Sequence, residues 1–214
     1  MKPPGARRLR PGVILFDLLS ALLDSWSLWD DIAGGRALGR RWRMEYLKLT
    51  YAAGAYVRYR DLVADSAEAV GLPGRAAHEL EARWAELAPW PGAGRVLREL
   101  AAEGRRLGVV TNCSEAMGQR AADLVDAPFE AVVTAESAGF YKPDARIYAA
   151  GAKAMNAAPD EVLFVAGSPF DVVGANAAGF AVVWHNPAGL RSPAAEATAN
   201  AVFDDLRELA TLLA

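Results

Sequence analysis

The sequence predicts an α/β fold in which a parallel sheet carries helices on both faces and a helical lobe is inserted after the first strand. Two observations support this prediction. Short apolar runs alternate with helical patterns through the second half of the chain, an order typical of parallel sheets. A long stretch with helical patterns and no strand signal separates the first apolar run from the others. The 214 residues are enough for one such domain with a small lobe.

The first strand is the apolar run 13–16, which ends abruptly at Asp17, as a buried parallel strand does. Residues 24–90 follow, with helical patterns rich in Ala, Leu, Trp, Tyr and Arg. One helix here carries two apolar strips, the first formed by Leu38, Trp42, Leu49 and Tyr56 and the second by Met44, Leu47 and Tyr51. Because a helix that is apolar on two sides packs against two partners, we expect residues 24–90 to form a helical cap.

The return from this cap is marked by the sequence Pro-Trp-Pro-Gly at 89–92. Beyond it, strands and helices alternate with short connections, and we expect residues 11–23 and 91–214 to form the core. The expected strands are 107–110, 131–133, 162–165 and 180–183. The expected helices are 93–103, one that starts at 114 or 115, 144–156, 169–178 and 204–213.

Composition excludes several kinds of partner. The net charge of -3 provides no global positive field, so we expect neither a nucleic acid nor a membrane as partner. No apolar stretch reaches the ~20 residues that a membrane span requires. The single cysteine, Cys113, can form neither an internal disulfide nor a thiolate metal cage, which favours a cytoplasmic protein.

Basic residues near the start of the chain, Lys2, Arg7, Arg8 and Arg10, precede an apolar run. This order superficially resembles a signal peptide. However, Asp17 interrupts the apolar run, and Asp24 follows it where a cleavage site would have small residues. We therefore interpret the basic arm as a solvated terminus.

Polar side chains follow the predicted strands where the strands end. Asp17 follows the first strand, Thr111 and Asn112 follow the second, Lys142 comes after the third, and Asp171 comes after the fourth. Because the carboxyl ends of parallel strands share one edge of the sheet, these residues are expected to line one crevice. Taken singly, each also fits a structural role as a helix cap or a solvated loop charge. Their appearance in order at four strand ends favours a catalytic site.

Four segments resemble the motifs of the haloacid dehalogenase superfamily: Phe16-Asp17, Thr111-Asn112, Lys142-Pro143 and the stretch 167–180. The last segment, which closes with Gly-Phe, is the most specific. The resemblance extends from residue 13 to about residue 186, nearly the whole chain. It implies a Rossmann-like core, a nucleophile at Asp17 and a cap inserted directly after that nucleophile.

Two positions bear on whether the substrate carries a phosphate or a halogen. Most members of the superfamily are Mg-dependent phosphatases, with a second Asp two residues after the nucleophile and an Asp after the fourth-strand Gly. This sequence has Leu19 and Ser168 at those positions. Because Mg²⁺ is usually held by carboxylates, Asp17 and Asp171 alone would make a weak site. We therefore expect a metal-independent hydrolase without a cofactor.

Charge accounting agrees with this expectation. Asp17 and Asp171 contribute two negative charges and Lys142 one positive charge, and a 2-haloacid would bring a further carboxylate, so one more cation is needed. The cap offers Arg40, beside Arg36 and Arg43 on one helical face. An arginine stripe by itself is more typical of a solvated surface.

Segments 40–46 and 142–148 are similar to those of the L-2-haloacid dehalogenase subfamily. The resemblance implies hydrolytic dehalogenation of a short 2-haloacid, a halogenated carboxylate, through an ester of Asp17. It implies that Arg40 receives the departing halide.

In the same scheme Lys142 keeps Asp17 ionised, and Asp171 acts as general base for the water that cleaves the ester. Thr111 and Asn112 bind the substrate carboxylate or orient Asp17. The remaining substrate contacts that the resemblance implies are Leu19, Tyr59, Tyr148, Ser168 and Phe170.

The sequence also departs from the subfamily. Dehalogenases have polar or aromatic residues where this chain has Leu19, Ala21, Ala166 and Ser168. Losing one preorganised donor can lower a rate by roughly 10²-fold or more, and Ser20 and Ser168 are candidates to compensate.

Two alternatives remain for the function: a hydrolase or phosphatase of another substrate class, and a catalytically silent binding protein of the same fold. Trp26 and Trp29 are either core residues or contacts of a homodimer.

Overall fold

The computed structural model describes residues 11–213, so the basic arm of Lys2, Arg7, Arg8 and Arg10 lies outside the described residues. The strands are β1 (Val13–Phe16), β2 (Leu23–Asp24), β3 (Ala88–Pro89), β4 (Arg106–Thr111), β5 (Phe129–Thr134), β6 (Val162–Ala166), β7 (Ala181–His185) and β8 (Ala201–Phe203). The helices are α1 (Ser25–Ile32), α2 (Arg36–Ala53), α3 (Tyr59–Ala69), α4 (Ala76–Ala82), α5 (Ala93–Ala102), α6 (Glu115–Asp123), α7 (Ala135–Ala138), α8 (Ala145–Ala154), α9 (Pro169–Ala177), α10 (Pro193–Thr198) and α11 (Arg207–Leu213). Two short 3-10 helices span Trp84–Glu86 and Pro159–Glu161.

Six of the strands form one parallel sheet in the order β5-β4-β1-β6-β7-β8. Strand β1 lies inside the sheet between β4 and β6, and all four of its residues are buried. A strand inside a parallel sheet is covered by helices on both faces, so its residues form a continuous apolar run, as residues 13–16 do. The predicted α/β fold with a parallel sheet is confirmed.

The sequence analysis missed the short strand β8 and the short helices α7 and α10. Strand β8 has three residues, of which only Phe203 is buried, so no apolar pattern distinguishes it from a loop. The last helix begins at Arg207 and not at Asp204. The side chain of Asp205 accepts a hydrogen bond from the backbone N–H of Arg207 at 2.9 Å, which stabilises the helix start there.

Helices α1 to α4 lie between β2 and β3 and are called the helical insert below. Strands β2 and β3 pair antiparallel, which brings the two ends of the insert together. The ring of Trp29 in α1 packs 4.3 Å from the ring of Trp42 in α2, centroid to centroid. Trp26 and Trp29 are only 3% and 0% exposed, so both side chains are buried within the monomer and do not form a dimer surface.

Among residues 11–213, no helix is both long enough and apolar enough to cross a membrane.

Candidate active site

The carboxylate of Asp17 lies just beyond the carboxyl end of β1, and only 4% of the residue is exposed. Its oxygen Oδ2 accepts three hydrogen bonds. The backbone N–H of Ser20 donates at 2.9 Å, the hydroxyl of Ser20 at 2.7 Å, and the backbone N–H of Ala21 at 3.1 Å. The turn that follows β1 therefore fixes one carboxylate oxygen and leaves the other, Oδ1, facing the rest of the site.

The ammonium group of Lys142 bridges two acidic side chains. Its Nζ lies 2.6 Å from Oδ1 of Asp17 and 3.0 Å from Oδ1 of Asp171. Asn112 fixes the backbone of this lysine through two bonds. The N–H of Lys142 donates to Oδ1 of Asn112 at 2.7 Å, and Nδ2 of Asn112 donates to the carbonyl of Lys142 at 3.0 Å. The structure thus brings together four residues that the sequence placed at strand ends.

Asp171 lies in the first turn of α9 and accepts hydrogen bonds from two hydroxyl groups. The hydroxyl of Tyr148 donates to Oδ1 at 3.1 Å, and the hydroxyl of Ser168 donates to Oδ2 at 3.0 Å. Ser168 also caps α9, because its oxygen accepts the backbone N–H of Asp171 at 3.2 Å. Ser168 and Tyr148 therefore hold the second carboxylate in a fixed orientation.

The two carboxylates differ in acidity because their surroundings differ. Burial would raise the pKa of Asp17, but the Lys142 ammonium and the Ser20 donors together hold that pKa below its ordinary value. Burial raises the pKa of Asp171, and the nearby negative charge of Asp17 adds to the rise. Burial opposes the charge of Lys142, yet the two carboxylates raise its pKa overall. Asp17 is thus the more readily ionised of the pair.

A cavity of about 30 Å³ lies between the helical insert and the strand ends, with room for about two water molecules. The predicted site residues that line it are Asp17, Leu19, Asn112, Lys142, Ser168 and Asp171. Ser20, which the sequence offered as a candidate to replace a missing donor, also lines the cavity. The sequence analysis did not assign to the site the other lining residues, which are Trp26, Arg43, Tyr46, Leu47 and Tyr51. Leu47 and Tyr51 belong to the second apolar strip of α2, so a signal for them was present.

Three other predicted residues lie behind the cavity wall. Thr111 is fully buried, and its hydroxyl is 3.7 Å from the sulfur of Cys113. The ring of Tyr59 packs edge-on against Tyr46, with centroids 5.6 Å apart. The ring of Phe170 packs 4.3 Å from Tyr51, centroid to centroid. Tyr59 and Phe170 therefore support residues of the wall.

The sequence model of the haloacid dehalogenase-like hydrolases matches residues 12–179, well over half of the chain. The match includes β1, the helical insert and all of the acidic and lysine residues described above. The chain belongs to this hydrolase family.

Comparison with individual proteins places dehalogenases among the relatives of this haloacid dehalogenase-like hydrolase. The (S)-2-haloacid dehalogenase H-109 of Pseudomonas putida is 29% identical over 209 residues, which cover 90% of this chain and 88% of the relative. A crystal structure of a dehalogenase with an intermediate complex superposes with a TM-score of 0.83 at 26% identity, covering 97% of this chain and 98% of that one. The phosphoglycolate phosphatase of Rhodospirillum rubrum is 38% identical over 123 residues, but these cover only 56% of this chain and 51% of the phosphatase.

In this hydrolase, the arginine of the insert that reaches the cavity is Arg43. Arg43 is only 4% exposed. Its guanidinium lies over the rings of Trp26 and Trp29, 4.6 and 5.3 Å from their centroids. Nη2 is 3.4 Å from the carbonyl of Leu19, and no group within residues 11–213 accepts a hydrogen bond from Nε or Nη1. Burial lowers the pKa of Arg43, but a guanidinium stays charged at neutral pH. The site therefore contains a buried cation with free donors.

The structure does not bring Arg40 to this cavity. Its Nη1 donates to the carbonyl of Ala188 at 3.3 Å, and the side chain lines a separate cavity beside Arg36 and Asp30. The guanidinium lies over the face of Trp26, 5.1 Å from the ring centroid. Arg40 and Arg43 thus flank one tryptophan, and only Arg43 lines the cavity next to Asp17.

The residues of this site do not fit the Mg²⁺ ion used by the family's phosphatases. Mg²⁺ requires near-octahedral oxygen ligands, yet the Lys142 ammonium lies between the carboxylates of Asp17 and Asp171 that would share the ion. Leu19 offers no side-chain ligand, and its carbonyl accepts hydrogen bonds from Ser25 and Arg43. In the part of the chain that the structure describes, no three His, Cys, Asp or Glu side chains cluster as a metal site.

Proposed function

We propose that this enzyme hydrolyses short 2-haloacids through a covalent ester of Asp17, without a metal ion. The observation that carries the proposal is the unequal environment of the two Asp17 oxygens. Oδ2 is held by three donors from Ser20 and Ala21, whereas Oδ1 contacts only the Lys142 ammonium among the residues described. The dehalogenases among the relatives support the same reaction class.

In the first step, Oδ1 of Asp17 attacks the carbon that bears the halogen. A carbon–oxygen bond forms as the carbon–halogen bond breaks, and the halide leaves with the bonding electron pair. Lys142 keeps Asp17 ionised, and the lowered pKa of Asp17 supports the presence of this nucleophile at neutral pH. The product of the step is an ester between Asp17 and the substrate carbon.

In the second step, water attacks the carboxyl carbon of Asp17, and Asp171 accepts a proton from that water. Negative charge then develops on Oδ2, which already faces three donors at 2.7 to 3.1 Å. Donors at this distance stabilise an oxyanion without having to move. Collapse of the intermediate breaks the bond between Cγ and Oδ1 of Asp17, and the departing oxygen takes the proton from Asp171, which releases the 2-hydroxyacid. The restored Asp17 carboxyl carries the oxygen of the water and loses one proton to solvent.

We further propose that Arg43 receives the leaving halide. With Asp17, Asp171, Lys142 and Arg43 charged, the site is neutral before a substrate carboxylate enters. Arg43 lines the cavity, and its Nε and Nη1 donate to no group among residues 11–213. Buried donors without acceptors are costly for stability, which supports a functional reason for the position of Arg43. Arg40, the sequence-based candidate for this role, is tested against Arg43 below.

The lining of the cavity supports a short substrate with an apolar carbon next to Asp17, and the small volume means that its walls must move to admit one. Leu19, Leu47 and Trp26 form apolar walls around a space of about 30 Å³. We propose that residues 24–90 act as a cap over a core formed by the rest of the chain, and that the cap moves to admit substrate.

We also propose a cytoplasmic location, because the only cysteine, Cys113, is a buried free thiol.

The proposal is tested by measuring halide release from a panel of short 2-haloacids, with and without EDTA. The variant Asp17→Asn removes the nucleophile, and Asp65→Asn, an exposed aspartate of α3, serves as the matched control. We expect release that survives EDTA, disappears in Asp17→Asn and persists in Asp65→Asn. Activity that requires Mg²⁺ would instead support a phosphatase. No turnover of any haloacid would contradict the proposal.

A further inference from the structure

The turn that follows β1, residues 17–21, is called the nucleophile turn below. Two side chains hold it from the side opposite the Asp17 carboxylate. The indole Nε1 of Trp90 donates to the carbonyl of Ser20 at 3.0 Å, and Nδ1 of His185 lies 2.6 Å from the carbonyl of Ala21. The N–H groups of the same two residues, Ser20 and Ala21, donate to Oδ2 of Asp17. The turn is therefore held through its N–H groups on one side and through its carbonyls on the other.

Trp90 acts on the same peptide group that binds the nucleophile. The carbonyl of Ser20 and the N–H of Ala21 belong to one peptide unit, so the chain of bonds runs from the Trp90 indole through this peptide to Asp17. Hydrogen bonds in such a chain polarise one another, and each strengthens the next. A donor on the carbonyl thus makes the Ala21 N–H a better donor to Oδ2.

His185 fixes the next peptide group. The ring is 1% exposed, and burial lowers its pKa, so the imidazole is neutral and carries one N–H. Its Nδ1 faces the Ala21 carbonyl at 2.6 Å and its Nε2 faces the Asp204 carbonyl at 3.3 Å. The shorter contact assigns the proton to Nδ1. Trp90 follows β3 and His185 ends β7, so two separate segments of the chain converge on this turn.

Close packing on a third side leaves the turn little freedom. A Cβ atom on Gly167 would lie 2.3 Å from the backbone nitrogen of Ala21 and 2.6 Å from Oδ2 of Asp17. The residue after β6 therefore lies directly against the Ser20–Ala21 peptide, the one that Trp90 holds. The turn cannot shift toward β6, and the two donors prevent it from shifting away.

We propose that Trp90 and His185 are positioning residues that hold the peptide groups of the nucleophile turn against Oδ2 of Asp17 for both steps of catalysis. The inference rests on the proposed function. Neither side chain lines the cavity next to Asp17, so their effect is on the rate of chemistry and not on substrate binding.

The test compares Trp90→Phe with Trp84→Phe. Trp84 is a matched control, because its indole also donates to a backbone carbonyl, that of Met117 at 2.9 Å. It lies in the 3-10 helix Trp84–Glu86 and does not contact the nucleophile turn through this bond. We expect Trp90→Phe to lower kcat for halide release by about threefold to tenfold with KM unchanged, less than the ~10²-fold cost of losing a direct oxyanion donor. His185→Leu should behave in the same way, and His185→Asn, which keeps an N–H near the position of Nδ1, should restore most of kcat.

A second readout does not depend on turnover. The amide proton of Ala21 should move upfield in the NMR spectrum of Trp90→Phe and stay in place in Trp84→Phe, because only the former loses the polarising donor. Equal kcat values and equal Ala21 shifts in the two variants would overturn the inference. If the wild-type chain releases no halide, the proposed function fails, and the Ala21 shift alone decides whether these side chains hold the turn.

Discussion

Ser20 donates two hydrogen bonds to the same oxygen of Asp17, one from its backbone N–H at 2.9 Å and one from its hydroxyl at 2.7 Å. With the N–H of Ala21, these bonds occupy Oδ2 and direct Oδ1 toward the cavity. In an ester formed through Oδ1, the same donors would face the carbonyl oxygen that becomes negatively charged during hydrolysis. One serine therefore contributes to both proposed steps. This contact is the arrangement expected if Ser20 compensates for the missing hydroxyl at Ala21.

Replacement of Ser20 by alanine tests this role. Ser20→Ala removes the shorter of the two bonds, and we expect kcat for halide release to fall by roughly 10²-fold. Ser66→Ala is the control, because Ser66 is also buried but its hydroxyl bonds only within the insert, to Val63 and Trp42. Steady-state kinetics of both variants make the comparison. Equal kcat values in the two would show that the Ser20 hydroxyl has no catalytic role.

Arg40 and Arg43 are distinguished by replacing each with methionine, which keeps an unbranched apolar stem and removes the guanidinium charge. Because Arg43 lines the cavity and Arg40 does not, Arg43→Met should slow the halide burst by roughly 10²-fold. Arg40→Met should retain most of the burst. Rapid-mixing measurements of halide release distinguish the first step from the second. The reverse pattern would assign the halide to Arg40, as the sequence resemblance implied.

The two steps should lose activity at different acid pH values. The pKa of Asp171 is raised above its ordinary 3.8, so the general base is protonated, and ester hydrolysis is lost, as pH falls through that raised value. The pKa of Asp17 is lowered below 3.8, so the nucleophile stays ionised to lower pH. We therefore expect steady-state turnover to fall first, while the halide burst persists. Coincident acid limits for the burst and for turnover would contradict this assignment of acid and base.

The sequence predicted the core of the site well because strand order determines which residues meet at the edge of a parallel sheet. Asp17 and Asn112 directly follow strands, Asp171 lies in the first turn of the helix after β6, and Lys142 lies in the loop after α7. These four residues meet in the structure. The same reasoning placed Thr111 in the site, but Thr111 does not line the cavity. Thr111 is the last residue of β4, fully buried with its hydroxyl toward Cys113, whereas Asn112 lies beyond the strand, where its side chain reaches the backbone of Lys142.

The contribution of the insert was harder to predict. Arg36, Arg40 and Arg43 share one helical face, and helical periodicity alone does not indicate which of them points inward. That choice depends on how α2 packs on α1. A Cβ atom on Gly39 would lie 2.4 Å from Cα of Asp30, so the two helices approach closely at this point. This close packing buries Arg43 against Trp26 and Trp29, a tertiary contact that no local pattern encodes.

A single turnover in water enriched in oxygen-18, with enzyme in excess over a short 2-haloacid, tests the Asp17 ester most directly. Because water attacks the carboxyl carbon of Asp17 and not the substrate carbon, the label should appear in the Asp17 carboxylate. The first 2-hydroxyacid released should carry unlabelled oxygen from Asp17. Mass spectrometry of the product and of the peptide that contains Asp17 measures both. Label in the first product, with none in the Asp17 peptide, would show direct attack by water and contradict the covalent mechanism.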